Sequence, residues 1–518
     1  MLDTGPPTNG QLTALKYLQH VASEQEYAVD AEFVARPWLL YVVLALQVAL
    51  SLRLVWANTA FQDEGLYLWA GHLEWAHWLH GTPIPAFEYY FSGAPVLYPP
   101  LGALANHFGG LAGSRLLSLG FMVTSTVLLH GMTKRFIDRA AANFAAFMFA
   151  VLGSTQFLGA FATYDAMALM LTAFSAWFVV IAGNRSGPMR ALLLLFAGAV
   201  AALADATKYA AALWTPVVIV LAVLVVWRRS GRGAGMVSGV VFFIGAALPI
   251  AIGIRLGGRP YWVGITSTTL TRQHGNSSPV GVLYTSLGWV AVPLAMAVMG
   301  AIIISSRRRS RQEVGLAWLF VCAVLLAPLE QARIGVFTSL FKHVDYGSWF
   351  GCVVAGFALA AFIQSVPLLK MARAMAASAA IAGVAAVSGT LLAGNHYQGW
   401  PTSTSVVRYL KPLTGNGMIL AEEVPVLEYY LPDVRAADWK GLNARDPASA
   451  YRVPIAEGQY ALIVFVYLET APLDLVLRQM IAKSGNYELA RTFAVPDAGA
   501  LGQYTRYEVW RRIPVGSA

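Results

Sequence analysis

Long apolar runs alternate with short polar connections along almost the whole chain. Eleven runs are read as membrane spans, each near the roughly 20 apolar residues that a spanning helix needs. They lie near 37–57, 113–133, 141–161, 164–183, 190–206, 210–227, 235–255, 282–304, 314–331, 346–366 and 374–394. The connections are of two kinds. One set is basic: Lys134, Arg135 and Arg139; Arg185 and Arg190; Arg228, Arg229 and Arg232; Arg307, Arg308, Arg309 and Arg311; Lys370 and Arg373. These are every second connection. Lys and Arg collect in loops left on the cytoplasmic side, so these loops and the N-terminus are expected there. The connections 58–112, 161–164, 206–210, 256–281 and 332–345 are then expected to face outward, with the C-terminal tail.

The connection 58–112 is far longer than an ordinary helix–helix link, and rich in aromatics and Pro. Leu66, Trp69, Leu73 and Ala76 recur at helical spacing, which predicts a helix lying in the membrane interface. The connection 256–281 mixes Gly, Ser, Thr, Arg and one His, and reads as a mobile cover. From about residue 395 the apolar runs shorten and charges rise. "GMILAEEVPVLEYYLPD" reads as a strand followed by a helix, and "YALIVFVYL" as a buried strand. "LVLRQMIAKSG" reads as a helix capped at Gly485, and "YELARTFAV" and "GQYTRYEVWRRI" as further strands. The chain is therefore read as an α-helical polytopic membrane protein with a small exported α/β part. Its expected divisions are a cytoplasmic segment 1–36, a transmembrane domain 37–394 and an extracytoplasmic domain 395–518. No internal repeat is seen.

Composition agrees. The chain is 57% hydrophobic and 12% charged, half the charge of a soluble domain, with mean hydropathy +0.57. The net charge of +9 resides in short loops and implies no nucleic-acid partner. The first 35 residues are polar and mixed, so no cleavable signal peptide is expected. Cys322 and Cys352 fall inside apolar runs and read as small buried hydrophobes. No Walker loop or dinucleotide fingerprint is present.

Chemistry is sought at the outward ends of the spans. Asp63 and Glu64 follow the first span, among Trp56, Phe61, Tyr67 and Trp69. Acids beside a helix end are often only a solvated flank, but an aromatic setting tunes carboxyl groups toward acid–base work. Asp165 opens the fourth span, where it is either an N-cap or a functional intramembrane acid. Asp205 and Lys208 are an i,i+3 pair or separate agents. Lys208 faces outward, where the positive-inside pattern would not place it, which marks it as a candidate anion contact. Arg115 opens the second span. Arg272 and His274 lie in 256–281, and Glu330, Arg333, Lys342, His343 and Asp345 gather around the ninth and tenth spans. Isolated cations beside carboxylates over apolar spans suit a lipid-linked anion, its tail among the helices and its phosphate at Arg and Lys in the interface. His72, His77 and His80 lack the company of a zinc site, so no metal is read there. A transporter or flippase would place charges at mid-span and show repeated halves. A non-catalytic scaffold would leave the Asp63–Glu64 loop without consequence.

The pieces "FQDEGLYLWA" (61–70), "YPPLGALA" (98–105), "GSRLLSLGF" (113–121), "FATYDAMAL" (161–169) and "DATKYAAALWTP" (205–216) resemble the GT-C glycosyltransferases. The nearest likeness is to the bacterial branch of the protein O-mannosyltransferase and aminoarabinose transferase family. It covers roughly 37–366, and the ending "YEVWRR" is also similar. The resemblance implies a membrane enzyme moving a hexosyl or pentosyl group from a polyprenyl-phosphate donor to a hydroxyl of a cell-envelope glycan, lipid or protein. The reaction would take place on the extracytoplasmic side of the plasma membrane. It implies Asp63 as general base, Glu64 in support, Asp165 as the second acid, and Arg115 and Lys208 near the donor phosphate. The transfer would be a direct displacement with inversion, needing no cofactor, although some members of the family use a divalent cation. One position departs: aminoarabinose transferases carry Lys just before the paired prolines, where this chain has Tyr98. Phosphate binding is then expected to fall to Lys208, Arg272 or His274, and aminoarabinose is not implied as the sugar.

Overall fold

The computed structural model describes residues 34–514, except 308, 365–367, 416, 444, 469 and 496–505, with the backbone alone at 364 and 368–379. The N-terminal segment to residue 33, Arg308, and the side chains of Lys370 and Arg373 lie outside the described residues.

The helices run in the order α1 (Trp38–Val55), α2 (Gln62–His80), α3 (Tyr98–Phe136), α4 (Arg139–Val151), α5 (Gly153–Leu158), α6 (Tyr164–Ala182), α7 (Gly187–Thr207), α8 (Thr215–Ser230), α9 (Arg232–Thr268), α10 (Pro279–Ser306), α11 (Arg311–Ile334), α12 (Leu340–Gln364) and α13 (Leu368–Tyr397). Among the described residues, eight are long and apolar enough to cross a membrane. Each of the eleven apolar runs is mainly helical over its described residues: 141–161 breaks at Leu152, whose backbone is extended, into α4 and α5, and 210–227 opens in a 3-10 turn, Tyr209–Leu213, before α8. The sequence explains the starts. Pro enters the first turn of α3, α7, α8 and α10, where its missing N–H is not needed. Asp138 caps α4, and Ser310 with Glu313 forms a capping box on α11.

Two outward connections are more helical than their composition suggests. Both α3 and α9 are two arms joined at a left-handed glycine, Gly110 (φ 59°) and Gly258 (φ 68°). Helix therefore resumes through 98–109 and again to Thr268, and only 269–278 remains irregular in the expected mobile cover. That remainder is pinned to the end of α11 by Gly275 N–H to Ile334 O and Ser277 N–H to Gly335 O.

α2 is the helix expected in 58–112, but its most buried face is not the expected stripe. Glu64, Tyr67, Leu68, Gly71 and Glu74 are buried, while Leu66, Trp69, Leu73 and Ala76 are half-buried. The buried face meets the first arm of α3 and a helix from the C-terminal part. Cys352 is buried as expected. Cys322 is exposed on α11, because that face of the helix has no protein neighbour covering it.

After α13 come α14 (Thr404–Leu410), β1 (Met418–Ala421), α15 (Val424–Tyr430), β2 (Trp439–Gly441), α16 (Ser449–Ala456), β3 (Tyr460–Phe465), α17 (Ala471–Ser484), β4 (Tyr487–Ala494) and β5 (Arg506–Arg512). The sheet order is β2-β1-β3-β5-β4. β2, β1 and β3 are parallel, and β5 is antiparallel to both its neighbours. Gly485 ends α17 in the left-handed region. α15 packs on α2. The Tyr430 hydroxyl accepts the Ala60 N–H at 2.8 Å, and the Tyr429 hydroxyl accepts Asn106 Nδ2 at 2.7 Å.

Candidate active site

The two adjacent acids at the start of α2 point to different partners. Glu64 turns inward. Its carboxylate takes Arg115 Nε at 2.8 Å and Nη2 at 2.7 Å, with both side chains fully buried. It also accepts the N–H groups of Phe61 (3.0 Å) and Ala162 (2.9 Å). Arg115 spends its remaining donors on the carbonyls of Val55, Asn58 and Thr59. Three segments of chain, 55–64, the start of the second arm of α3 and the turn at Ala162, are thus tied by one bidentate pair, whose desolvation is offset by complete hydrogen bonding. Arg115 does not line the main cavity.

Asp63 turns toward α12. Its Oδ2 is 2.6 Å from Lys342 Nζ. Lys342 lies between two acids, for Asp165 Oδ2 is 3.9 Å away on its other side. Thr163 occupies the N-cap of α6, so Asp165 is not the cap. It accepts Thr163 Oγ1 at 3.1 Å and turns its Oδ1, without a hydrogen-bond partner, toward His343 Nε2 at 3.8 Å. Lys208 donates to Ser92 Oγ at 2.7 Å, over the Tyr164 ring, within electrostatic reach of Asp165. It does not pair with Asp205, which instead takes the Thr215 hydroxyl.

A cavity of about 1320 Å³ adjoins this cluster through His343, which lines it beside Asp165; Asp63, Asp165, Lys208 and Lys342 are not themselves in its lining. Its walls are apolar residues of α7, α9 and α11, among them Leu203, Ile250, Ile254 and Ala327. Its polar lining includes Arg272, His343, Asp205 and the ion pair Glu330–Arg333. Burial pulls the Arg272 guanidinium down from its ordinary value, and the charges of Glu330 and then Asp63 pull it back up. Arg272 therefore belongs to both the cavity and the acid cluster.

The structure brings together Asp63, Asp165, Lys208 and Arg272 of the residues singled out by sequence. It places Glu64 and Arg115 beneath them. Tyr98 is fully buried against Tyr164, ring centroids 5.9 Å apart, and is not part of the cavity lining. His274 is exposed and also outside the lining. Asp345 separates from its sequence neighbours and bonds Ser154 and Thr155. Sequence reasoning named Lys342 only as one of a group, although it is the residue that joins the two acids. The argument that marked Lys208, a cation at the outward start of a span, applies equally to Lys342. Nothing in the pattern marked Ser92. Among the described residues no group of three or more His, Cys, Asp or Glu side chains could hold a metal ion. His72 bonds Asn106 instead.

No family model matches the chain, and no curated protein matches it in sequence. Solved structures match it in shape. It resembles ArnT from Cupriavidus metallidurans bound to undecaprenyl phosphate with a TM-score of 0.60 at 14% identity, over 92% of this chain and 98% of that one. The apo form of the same protein gives 0.61 at 14% identity, over 91% and 97%. The apo oligosaccharyltransferase of Archaeoglobus fulgidus gives 0.56 at 12% identity, over 91% and 74%. These are GT-C glycosyltransferases. The chain therefore has the GT-C fold, a polytopic helical membrane protein with a small C-terminal sheet.

Proposed function

We propose that this chain, built on the GT-C fold, is a membrane glycosyltransferase that takes a hexosyl or pentosyl group from a polyprenyl-phosphate donor. The acceptor is a hydroxyl of a cell-envelope glycan, lipid or protein. The observation that carries the reading is the Asp63–Lys342–Asp165 cluster, next to a large apolar cavity whose lining includes Arg272 and His343, the latter 3.8 Å from Asp165. An isoprenoid fits the walls, and a phosphate fits Lys208, Arg272 and Lys342. The solved structure of ArnT with undecaprenyl phosphate supports the same class of donor.

In the proposed reaction Asp63 holds the acceptor hydroxyl. The acceptor oxygen attacks the anomeric carbon from the face opposite the phosphate. The bond to the phosphate oxygen breaks, its electron pair leaves on that oxygen, and the hydroxyl proton passes to Asp63. The anomeric centre is inverted. Charge supports this division of labour. Lys208, Lys342 and Arg272 carry three positive charges against Asp63 and Asp165. A phosphodiester donor adds one negative charge and balances them. On transfer the phosphate gains a negative charge as Asp63 loses one by protonation, so the cluster stays balanced while fixed cations stabilise the leaving group. No cofactor enters the scheme.

In this proposal the cluster, the first loop 58–112 and the 395–518 domain lie on the extracytoplasmic side of the plasma membrane, with 1–36 inside and 37–394 as the membrane domain; the alternation of basic loops supports this orientation. The test is reconstitution with a radiolabelled polyprenyl-phosphate sugar and an envelope extract as acceptor. Release of free polyprenyl phosphate is expected, and Asp63→Asn should slow it by roughly 100-fold or more. Movement of intact lipid across the bilayer without release would instead indicate a flippase.

A further inference from the structure

The Lys342–Asp63 contact raises a difficulty for a base. A carboxylate oxygen bonded to an ammonium at 2.6 Å is not free to receive a hydroxyl proton. We propose that Lys342 is a positioning residue that makes binding sequential: it occupies Asp63 until the donor's phosphate draws it away, so donor must precede acceptor. This rests on the lipid-donor reading above.

Four observations support it. The Lys342 side chain is 1% exposed and that of Asp63 is 30% exposed, so an incoming hydroxyl meets the acid and cannot displace the ammonium from behind. Lys342 occupies the first turn of α12, where the helix dipole disfavours a cation. The two carboxylates supply what holds it there, and a third anion nearby competes on equal terms. The next residue, His343, lines the cavity and has an unpartnered Nε2 beside the unpartnered Oδ1 of Asp165. The start of α12 therefore bridges base and cavity within two residues. Finally, Arg272 acts electrostatically on Lys342 and lines the cavity, so an anion arriving there is within electrostatic reach of the ammonium.

The consequence is a linkage. If Asp63 and a phosphate compete for one ammonium, removing the Asp63 charge must tighten phosphate binding, and only through Lys342. The experiment measures the affinity of radiolabelled undecaprenyl phosphate for the full chain in nanodiscs. Asp63→Asn is expected to bind roughly tenfold tighter than the parent, and Lys342→Met roughly tenfold weaker. In the Lys342→Met background, Asp63→Asn is expected to change nothing. Should Lys342→Met not fold, Lys342→Gln takes its place, and the Asp63→Asn measurement stands alone. Equal binding by Asp63→Asn and parent overturns the proposal. So does a gain of equal size with and without Lys342, which is simple removal of charge. No binding by parent or any variant overturns the lipid-donor reading, and this proposal with it.

Discussion

Neighbouring carboxylates with opposite fates are the residue-scale feature of this site. Glu64 is a structural anchor: it and Arg115 are both fully buried, and the guanidinium also closes three carbonyls at the end of α1. Removing one partner of such a pair leaves the other as an uncompensated buried charge, at about 3–5 kcal/mol. Arg115→Met is therefore expected to lower the thermal unfolding midpoint sharply, as read by tryptophan fluorescence in nanodiscs. Arg115→Lys keeps the charge but loses the bidentate geometry, and is expected to be less stable than the parent yet bind undecaprenyl phosphate with the parent's affinity. Weaker lipid binding at full stability would instead support the phosphate role that the resemblance implied for Arg115. The carboxylate pair was legible in sequence, and the resemblance implied Glu64 in support of Asp63, but the partner of each acid was not legible. It depends on side-chain directions set by Arg115 and Lys342, which lie 51 and 279 positions away from their acids.

At the scale of elements, the helix that carries Asp63 is held by close backbone approach. A methyl added at Gly71 would lie 2.0 Å from the Pro99 carbonyl oxygen, and one at Gly65 would lie 2.7 Å from that of Pro425. The first contact joins α2 to α3, and the second joins α2 to α15. Gly71→Ala is expected to cost about 1–3 kcal/mol by overpacking and to slow turnover, because Asp63 is fixed by the seat of α2. Gly65→Ala should be the milder change. Thermal unfolding and sugar-transfer rates check both, and parental values for Gly71→Ala would refute the packing account. The spans and the C-terminal strand–helix order were legible because their periodicity and length are local. The protein-buried face of α2 was not legible for a physical reason. The Leu66, Trp69, Leu73 and Ala76 stripe is the apolar one, but burial follows the small residues that let α3 and α15 approach. β2, three residues long, gave no pattern to read. The short arm of α9 past Gly258 was masked by glycines that bend a helix rather than end it.

For the molecule as a whole, the coupling between membrane part and C-terminal sheet carries a pH dependence. Burial pushes the Glu428 carboxyl, on α15 at the α2 contact, up to about 8. Burial, and then the charge of Glu422, pushes Asp474 at the start of α17 up to about 8. Both are neutral in the folded chain at pH 6 and ionised in the unfolded one, so the folded state binds more protons there. Stability must then fall as pH rises from the ordinary carboxylate range to about 8, and level off above it. Melting temperature measured from pH 5 to 9 is expected to decline and then flatten. Glu428→Gln and Asp474→Asn remove the two ionisations and should each lessen the slope, with their effects adding because they act on different surfaces. An undiminished slope in the double variant would assign the pH dependence elsewhere. A slope lessened by Asp474→Asn alone would show that the α15–α2 contact relaxes to admit water around Glu428, so that the sheet is stabilised independently of the membrane part.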